Sequence, residues 1–526
     1  MNKLKTGHIL FILIALSTLI RGFLAAYLEL GNDEVYYITY AIFPDLSHFD
    51  HPPMVGLMIR LFSFNLSLDS EFFIRLSSVI IGAVNTWLIY MIGKRLKDQL
   101  TGLYAAFLYT ASIYCFIIAG TFILPDTPQL FFWLISMYFL LHALPDKECS
   151  SFSRKNLLLA GLAIGLGMLS KYTSVFLWFG AILYILIYNK KWLARKELYI
   201  SGLISLLVFL PVIIWNIQYD FISFAFQGER VDIIKSGINI DSFLTELSGQ
   251  FFYNNPLVFI IVLLSLWGII KGKKYADTPL QKLLLWLNLP LIIIFLLFSL
   301  FRSTLPHWTG PGYTGLYLLA AAFLSEKYGK SKKPFPWPLQ LPVYFLLIII
   351  VLGLGQIKGG WLFYSGETKV TELGKKDITL DMHGWRQLGE KFEHIHQQHV
   401  EEGIMEQHAD IVSYRWFPAA NLDYYVAHPT GLRVKAIGKL DRIHKYAWIN
   451  RFRGGFKPGS DAYYFTESRD YKDPYELYGD YYEEIMPLDT IPITRGGRKV
   501  KYFFLYKLKD MKKLPQTMEG AGIITN

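Results

Sequence analysis

The residues best placed to do chemistry stand in short charged clusters between long apolar runs. The first is Gly31-Asn32-Asp33-Glu34-Val35-Tyr36-Tyr37. Adjacent carboxylates can serve as a general base and its neighbour, taking a proton from an attacking hydroxyl. They can equally begin a helix by satisfying its free N–H groups, and residue types alone leave both readings open. The second cluster is Phe49-Asp50-His51-Pro52-Pro53-Met54. Its double proline fixes the backbone and starts a helix. Asp50 and His51 then sit at an N-terminus suited to an anion, or in a plain interfacial loop. The third is Leu124-Pro125-Asp126-Thr127-Pro128, where Asp126 stands alone in a very apolar stretch. It reads either as a helix cap or as a second active-site carboxylate. Lone cations complete the set: Lys171 in Ser170-Lys171-Tyr172-Thr173, Arg230 in Phe226-Gln227-Gly228-Glu229-Arg230, and Arg302 shortly before Pro306-His307-Trp308. Each can anchor the end of a span by snorkelling. Each can also hold a phosphate, arginine in bidentate fashion and lysine as a point charge. Carboxylates, scattered cations and a greasy surround together match a substrate with a phosphate, a polar group to activate and a long lipid tail.

The elements that must position these residues are membrane helices. The chain has 526 residues, 53% of them hydrophobic and 18% charged, with a formal charge of +10. Its apolar runs stop near residue 356, and the remainder has the composition of a soluble domain. About eleven segments are apolar enough to be candidate spans. They are 8–29, 72–93, 101–120, 127–145, 157–170, 173–188, 198–217, 256–271, 282–300, 312–325 and 339–356. The first reads as an uncleaved helix, because it continues past Arg21 without a clear cleavage site. Lys and Arg cluster in alternate loops, from Lys3 and Lys5 through Lys94, Arg95 and Lys97 to Lys330, Lys332 and Lys333. By the positive-inside rule this puts the N-terminus in the cytoplasm and the tail outside. Asp33, Asp126 and Lys171 then share the outer face. The same loop placement of the basic residues argues against nucleic acid as a partner.

Cys115 and Cys149 offer no disulfide framework. Gly161, Gly165 and Gly167 read as close helix packing rather than a phosphate loop. In the tail, the patterns predict helices at 385–400 and 418–427 and strands at 409–413, 462–465 and 500–506. The expected architecture is an α-helical polytopic membrane domain over residues 1–356, followed by an α/β extracytoplasmic domain over 357–526.

The five motifs around Asp33-Glu34, Asp50-His51-Pro52-Pro53, Asp126, Lys171 and His307-Trp308, in this order and on one face, resemble the GT-C superfamily of membrane glycosyltransferases. They look most like bacterial glycosyltransferase family 39, which includes protein O-mannosyltransferases, the lipid A aminoarabinose transferase and rhizobial galacturonosyltransferases. The resemblance covers roughly residues 1–320. It implies a polyprenyl-phosphate sugar donor and attack on the anomeric carbon with inversion. The acceptor would be an extracytoplasmic glycolipid such as lipid A, a glycan or a protein. It implies Asp33 as general base with Glu34 beside it and Asp126 as the second acidic position. Lys171, Arg230, Arg302, His51 and His307 would hold the donor. In the aminoarabinose relatives a lysine usually stands where this chain has His51, and histidine is only partly charged near neutral pH. Nearby carboxylates suit a transition state with oxocarbenium character. Asp50 and His51 alone are a poor metal signature, and no cofactor is expected. The expected location is the inner membrane, multi-pass. A lipid flippase or transporter fits less well, since no internal repeat is visible. A glycan ligase or polymerase usually keeps its large soluble loop between spans, whereas here the soluble part is C-terminal.

Overall fold

A computed structural model describes residues 3–231, 237–329, 335–362, 369–518 and 523–524. The chain divides into two compact units, one of Met1–Tyr27 with Pro44–Ile348 and the other of Leu28–Phe43 with Ile349–Asn526. Residues 28–43, placed by the sequence pattern in the membrane domain, thus fold with the C-terminal part.

The first unit is helical. Every apolar segment read from the sequence is a helix or contains one, including Lys3–Tyr27, Glu71–Leu96, Asp126–Ala143, Ser151–Met168, Phe176–Tyr188, Lys196–Gln218, Thr278–Phe298 and Gly310–Tyr328. Among the described residues, five helices are long and apolar enough to cross a membrane on their own. The helices Ile240–Tyr253 and Pro256–Ile270 pass the same test as a pair bent by 100°. The segment expected as a single span at 101–120 is broken: the helix Gln99–Ala111 gives way to a π-helical turn over Tyr114–Ile118. Exposed Phe11, Leu16, Leu19 and Phe23 on the first helix form an apolar surface of the kind that faces lipid. The glycines act as read. A Cβ on Gly161 would lie 2.4 Å from the Ser201 carbonyl, and one on Gly165 would lie 3.0 Å from Ser205 Cα. These small residues let the helices Ser151–Met168 and Lys196–Gln218 approach closely.

The second unit is built on a five-stranded mixed sheet. Its strands are β1 (Asp410–Ser413), β2 (Arg433–Ala436), β3 (Ala462–Glu467), β4 (Tyr482–Arg495) and β5 (Arg498–Met511), in the order β2-β1-β3-β5-β4. β1 pairs in parallel with β2 (Ile411 opposite Val434) and with β3 (Ile411 opposite Tyr463). β5 runs antiparallel to β3 and to β4. The predicted helices appear as Trp385–Glu401 and Trp416–Leu422, the latter extended by a π turn over Asp423–Ala427. β2 and β4 had no clear signal. β4 contains Pro487 and Pro492, which cannot donate to a ladder and belong at an edge. β4 is that edge, with a bulge between Pro487 and Asp489. Its hairpin to β5 turns on Gly496 (φ +55) and Gly497 (φ +78).

Candidate functional site

In the helical unit the site is organised by one buried ion pair. Pro125 ends the preceding loop, and Asp126 opens the helix Asp126–Ala143, where the N-terminal dipole favours a carboxylate. Lys171 lies in extended backbone (φ −157, ψ 133) just after the helix Ser151–Met168. Its Nζ donates to Asp126 Oδ2 at 2.9 Å, with side-chain exposures of 6% and 3%. The other carboxylate oxygen, Asp126 Oδ1, accepts from the Tyr114 hydroxyl at 3.1 Å. Tyr114 is presented by the π-helical turn, and its ring fills the space a Cβ would need at Gly310, 2.4 Å away. Both oxygens of Asp126 are therefore engaged. This geometry fixes the Lys171 ammonium against a buried carboxylate.

Three further segments meet this pair. The loop before Met54 is tied to the loop before Lys171 by Met54 N donating to the Leu169 carbonyl at 3.1 Å. The helix Met54–Phe62 starts after the double proline as the sequence predicts. Gln227 Nε2 donates to the Asp50 carbonyl, and Phe49 packs on Phe226 at 4.5 Å. Beneath Lys171, Gln129 Nε2 donates to Thr173 Oγ1 at 2.7 Å. His307 lies in the short helix Pro306–Thr309, its ring 6.2 Å from that of Tyr253. Burial drives its pKa down to about 4, while the Asp126 carboxylate pulls the other way.

A cavity of about 240 Å³ opens here, lined by His51, Lys171, Tyr172, Thr173, Gln227, Gly228, Phe295 and Trp308. It joins one fixed ammonium and a histidine to the aromatic pair Phe295 and Trp308, whose rings are 5.5 Å apart. An anion with an apolar tail suits such a lining. Of the sequence-derived donor residues, His51 and Lys171 line this cavity, and His307 lies within the field of Asp126 and Lys171. Arg302 is not among its lining residues. It sits half-buried where the helix Thr278–Phe298 ends, its N–H donating to the Phe298 carbonyl at 3.0 Å. Arg230 falls in the helix Ile222–Val231, and its side chain lies outside the described residues. Among the described residues, no group of three or more His, Cys, Asp or Glu is arranged to hold a metal ion. Sequence reasoning missed Tyr114 and Gln129, which lie inside apolar runs. Gln129 left a faint signal as a polar residue in the first turn of a span.

In the second unit, Asp33 and Glu34 open the helix Asn32–Ile42. They part company at once. Glu34 is 2% exposed, and its Oε2 accepts from the Gly31 N–H at 2.9 Å, satisfying a donor at the start of the helix. Asp33 is exposed in the same first turn. Of the two readings left open by the sequence, Glu34 takes the capping one. Glu29, at the end of the first apolar run, is 4% exposed and accepts from the Trp385 N–H at 2.9 Å, the first of the helix Trp385–Glu401.

Known proteins agree with this architecture. Residues 50–215 match the family model for dolichyl-phosphate-mannose-protein mannosyltransferase. The lipid A galacturonosyltransferase RgtD of Rhizobium johnstonii is 24% identical over 306 residues, 57% of this chain and 61% of that protein. The chain therefore aligns with less than two thirds of that relative's length. The crystal structure of ArnT from Cupriavidus metallidurans bound to undecaprenyl phosphate superposes with a TM-score of 0.63 at 16% identity, covering 94% of this chain and 97% of that one. Its apo form gives 0.60 at 14% identity, with the same coverage.

Proposed function

The chain has the fold of the GT-C superfamily of membrane glycosyltransferases, and from that premise we propose that it transfers a sugar from a polyprenyl-phosphate donor to an extracytoplasmic acceptor, with inversion. The observation that carries this reading is the cavity in which Lys171, pinned by Asp126, stands beside His51, Phe295 and Trp308. A phosphate requires the ammonium, and a prenyl chain requires the aromatic wall. The undecaprenyl phosphate bound to ArnT supplies the donor class, and RgtD supplies lipid A as the first acceptor to try.

In this mechanism Lys171 neutralises charge on the phosphate as the bond to the anomeric carbon breaks. Asp126 keeps the ammonium in place. Asp33 takes the proton from an acceptor hydroxyl, a contribution of about 10²–10⁴-fold. His307, its pKa held low by burial, contributes little positive charge beside Lys171. The protein sits in the inner membrane with its N-terminus in the cytoplasm and its C-terminal domain in the periplasm, an orientation supported by the alternation of basic loops.

The direct test is binding of undecaprenyl phosphate to the purified protein. Lys171→Met should weaken it by at least about tenfold, the scale of one charge-assisted hydrogen bond. Unchanged affinity would remove the cavity from the reading.

A further inference from the structure

The helix Asn32–Ile42 is buried from Glu34 to Ala41, and side chains of the C-terminal part of the chain hold it at both ends. On the approach to the helix, the Leu30 N–H donates to the Tyr425 hydroxyl at 2.7 Å. Beside Asp33, Asn421 Nδ2 donates to Asn32 Oδ1 at 2.8 Å. Midway, the ring of Tyr36 packs 4.9 Å from that of Trp416. At the far end Lys445, only 3% exposed, donates its Nζ to the Phe43 carbonyl and stands 4.9 Å over the Tyr40 ring. Phe43 itself stacks on Phe452, with centroids 5.5 Å apart and planes 7° from parallel. Amid these contacts Asp33 stays exposed.

A buried ammonium placed on a main-chain carbonyl is a costly way to end a helix. It is well suited to fixing where the helix sits. Asn421, Trp416 and Lys445 lie in or beside the elements that follow β1 and β2, the carboxyl ends of two parallel strands. In open α/β sheets that edge commonly receives a ligand. Here the groups that follow those strands hold a piece of this chain's own backbone.

We propose that the C-terminal unit is a clamp for the Asp33 helix, with Asn421 and Lys445 as positioning residues that set where the Asp33 carboxylate stands. This rests on the reading of Asp33 as the base. A base displaced by about an ångström loses on the order of 10²-fold in rate, so the clamp acts on turnover and leaves donor capture alone.

The test uses the full chain with a nitroxide at Asp33→Cys, the two native cysteines being buried, alongside kinetics on the otherwise unaltered protein. Asn421→Ala and Lys445→Met should each loosen the nitroxide. In the kinetic series each should lower kcat at least about tenfold, with KM for the lipid donor and affinity for undecaprenyl phosphate within about twofold of the parent. Lys445→Arg, which keeps a donor at the Phe43 carbonyl, should recover most of the rate. An immobile nitroxide in both variants overturns the clamp. A loosened nitroxide with unchanged kcat, or a rate loss that merely tracks loss of folded protein, overturns its catalytic role. If the parent transfers no sugar from any lipid-linked donor, the role of Asp33 fails, and the nitroxide alone still decides the clamp.

Discussion

The Asp126–Lys171 pair makes the sharpest energetic prediction. The two groups are 2.9 Å apart with side-chain exposures of 3% and 6%, so water screens them little. Replacing Asp126 with Asn keeps the shape but leaves Lys171 buried with only a dipole for a partner. Breaking a buried pair from one side costs about 3–5 kcal/mol, because the surviving charge stays desolvated. Lys171→Met leaves Asp126 with the Tyr114 hydroxyl as its remaining partner and should cost a comparable amount. The double variant Asp126→Asn with Lys171→Met removes both charges and leaves no orphan. It should therefore be more stable than the sum of the singles by about 2–3 kcal/mol, within the range of coupling between contacting residues. Thermal unfolding of all four proteins in one detergent reads this cycle. The same four proteins separate stability from function, because the double variant should regain folding yet still fail to bind undecaprenyl phosphate. Singles that cost under about 1 kcal/mol each, and add, would show that the pair is solvated and that Lys171 is not held for a ligand.

Asp33→Asn should lower sugar transfer by about 10²–10⁴-fold, with undecaprenyl phosphate binding unaltered; a steady-state assay beside a binding isotherm checks both. Glu34→Ala leaves the Gly31 N–H without its acceptor and should cost about 1–3 kcal/mol of stability, measured by thermal unfolding. Gly310→Ala would drive a methyl against the Tyr114 ring at 2.4 Å and should destabilise by about 1–3 kcal/mol, read in the same way. The C-terminal unit should lose stability in acid. Burial lowers the pKa of His396 and His399 below the ordinary 6.5, and both Nδ1 atoms stand near the Tyr463 hydroxyl, at 3.2 and 3.1 Å. These rings stay neutral in the fold and take up protons on unfolding, so their contribution is intact above pH 6.5 and is lost as pH falls below it. Replacing both with Gln should flatten that acid limb in tryptophan fluorescence melts.

Much of this was legible in the sequence where one residue carries a strong local signal. The apolar runs became helices because length and hydropathy dictate them. Asp126 and Lys171 stood out as lone charges in apolar surroundings, though only the fold shows them bonded to each other. Other features were hidden because they depend on distant partners. Glu34 looked equivalent to Asp33 until the turn gave one of them the Gly31 N–H. Residues 28–43 are continuous with the first span in sequence, and nothing local reveals that Tyr36 will pack on Trp416 or that Phe43 will meet Lys445. β4 was obscured by its own prolines, which are tolerated because the strand is an edge. Tyr114 is an ordinary aromatic in an apolar run, and the π turn that aims its hydroxyl at Asp126 has no sequence period of its own.

The central claim is transfer from a lipid-phosphate sugar, and mass spectrometry of an acceptor tests it most directly. Purified protein, a sugar-loaded undecaprenyl phosphate and lipid A would be incubated together and the lipids analysed. The account predicts lipid A heavier by one sugar residue, with free undecaprenyl phosphate released in equal amount and both products formed about 10²–10⁴-fold more slowly by Asp33→Asn. Full transfer by Asp33→Asn, or transfer from a nucleotide sugar with no lipid carrier present, would contradict it.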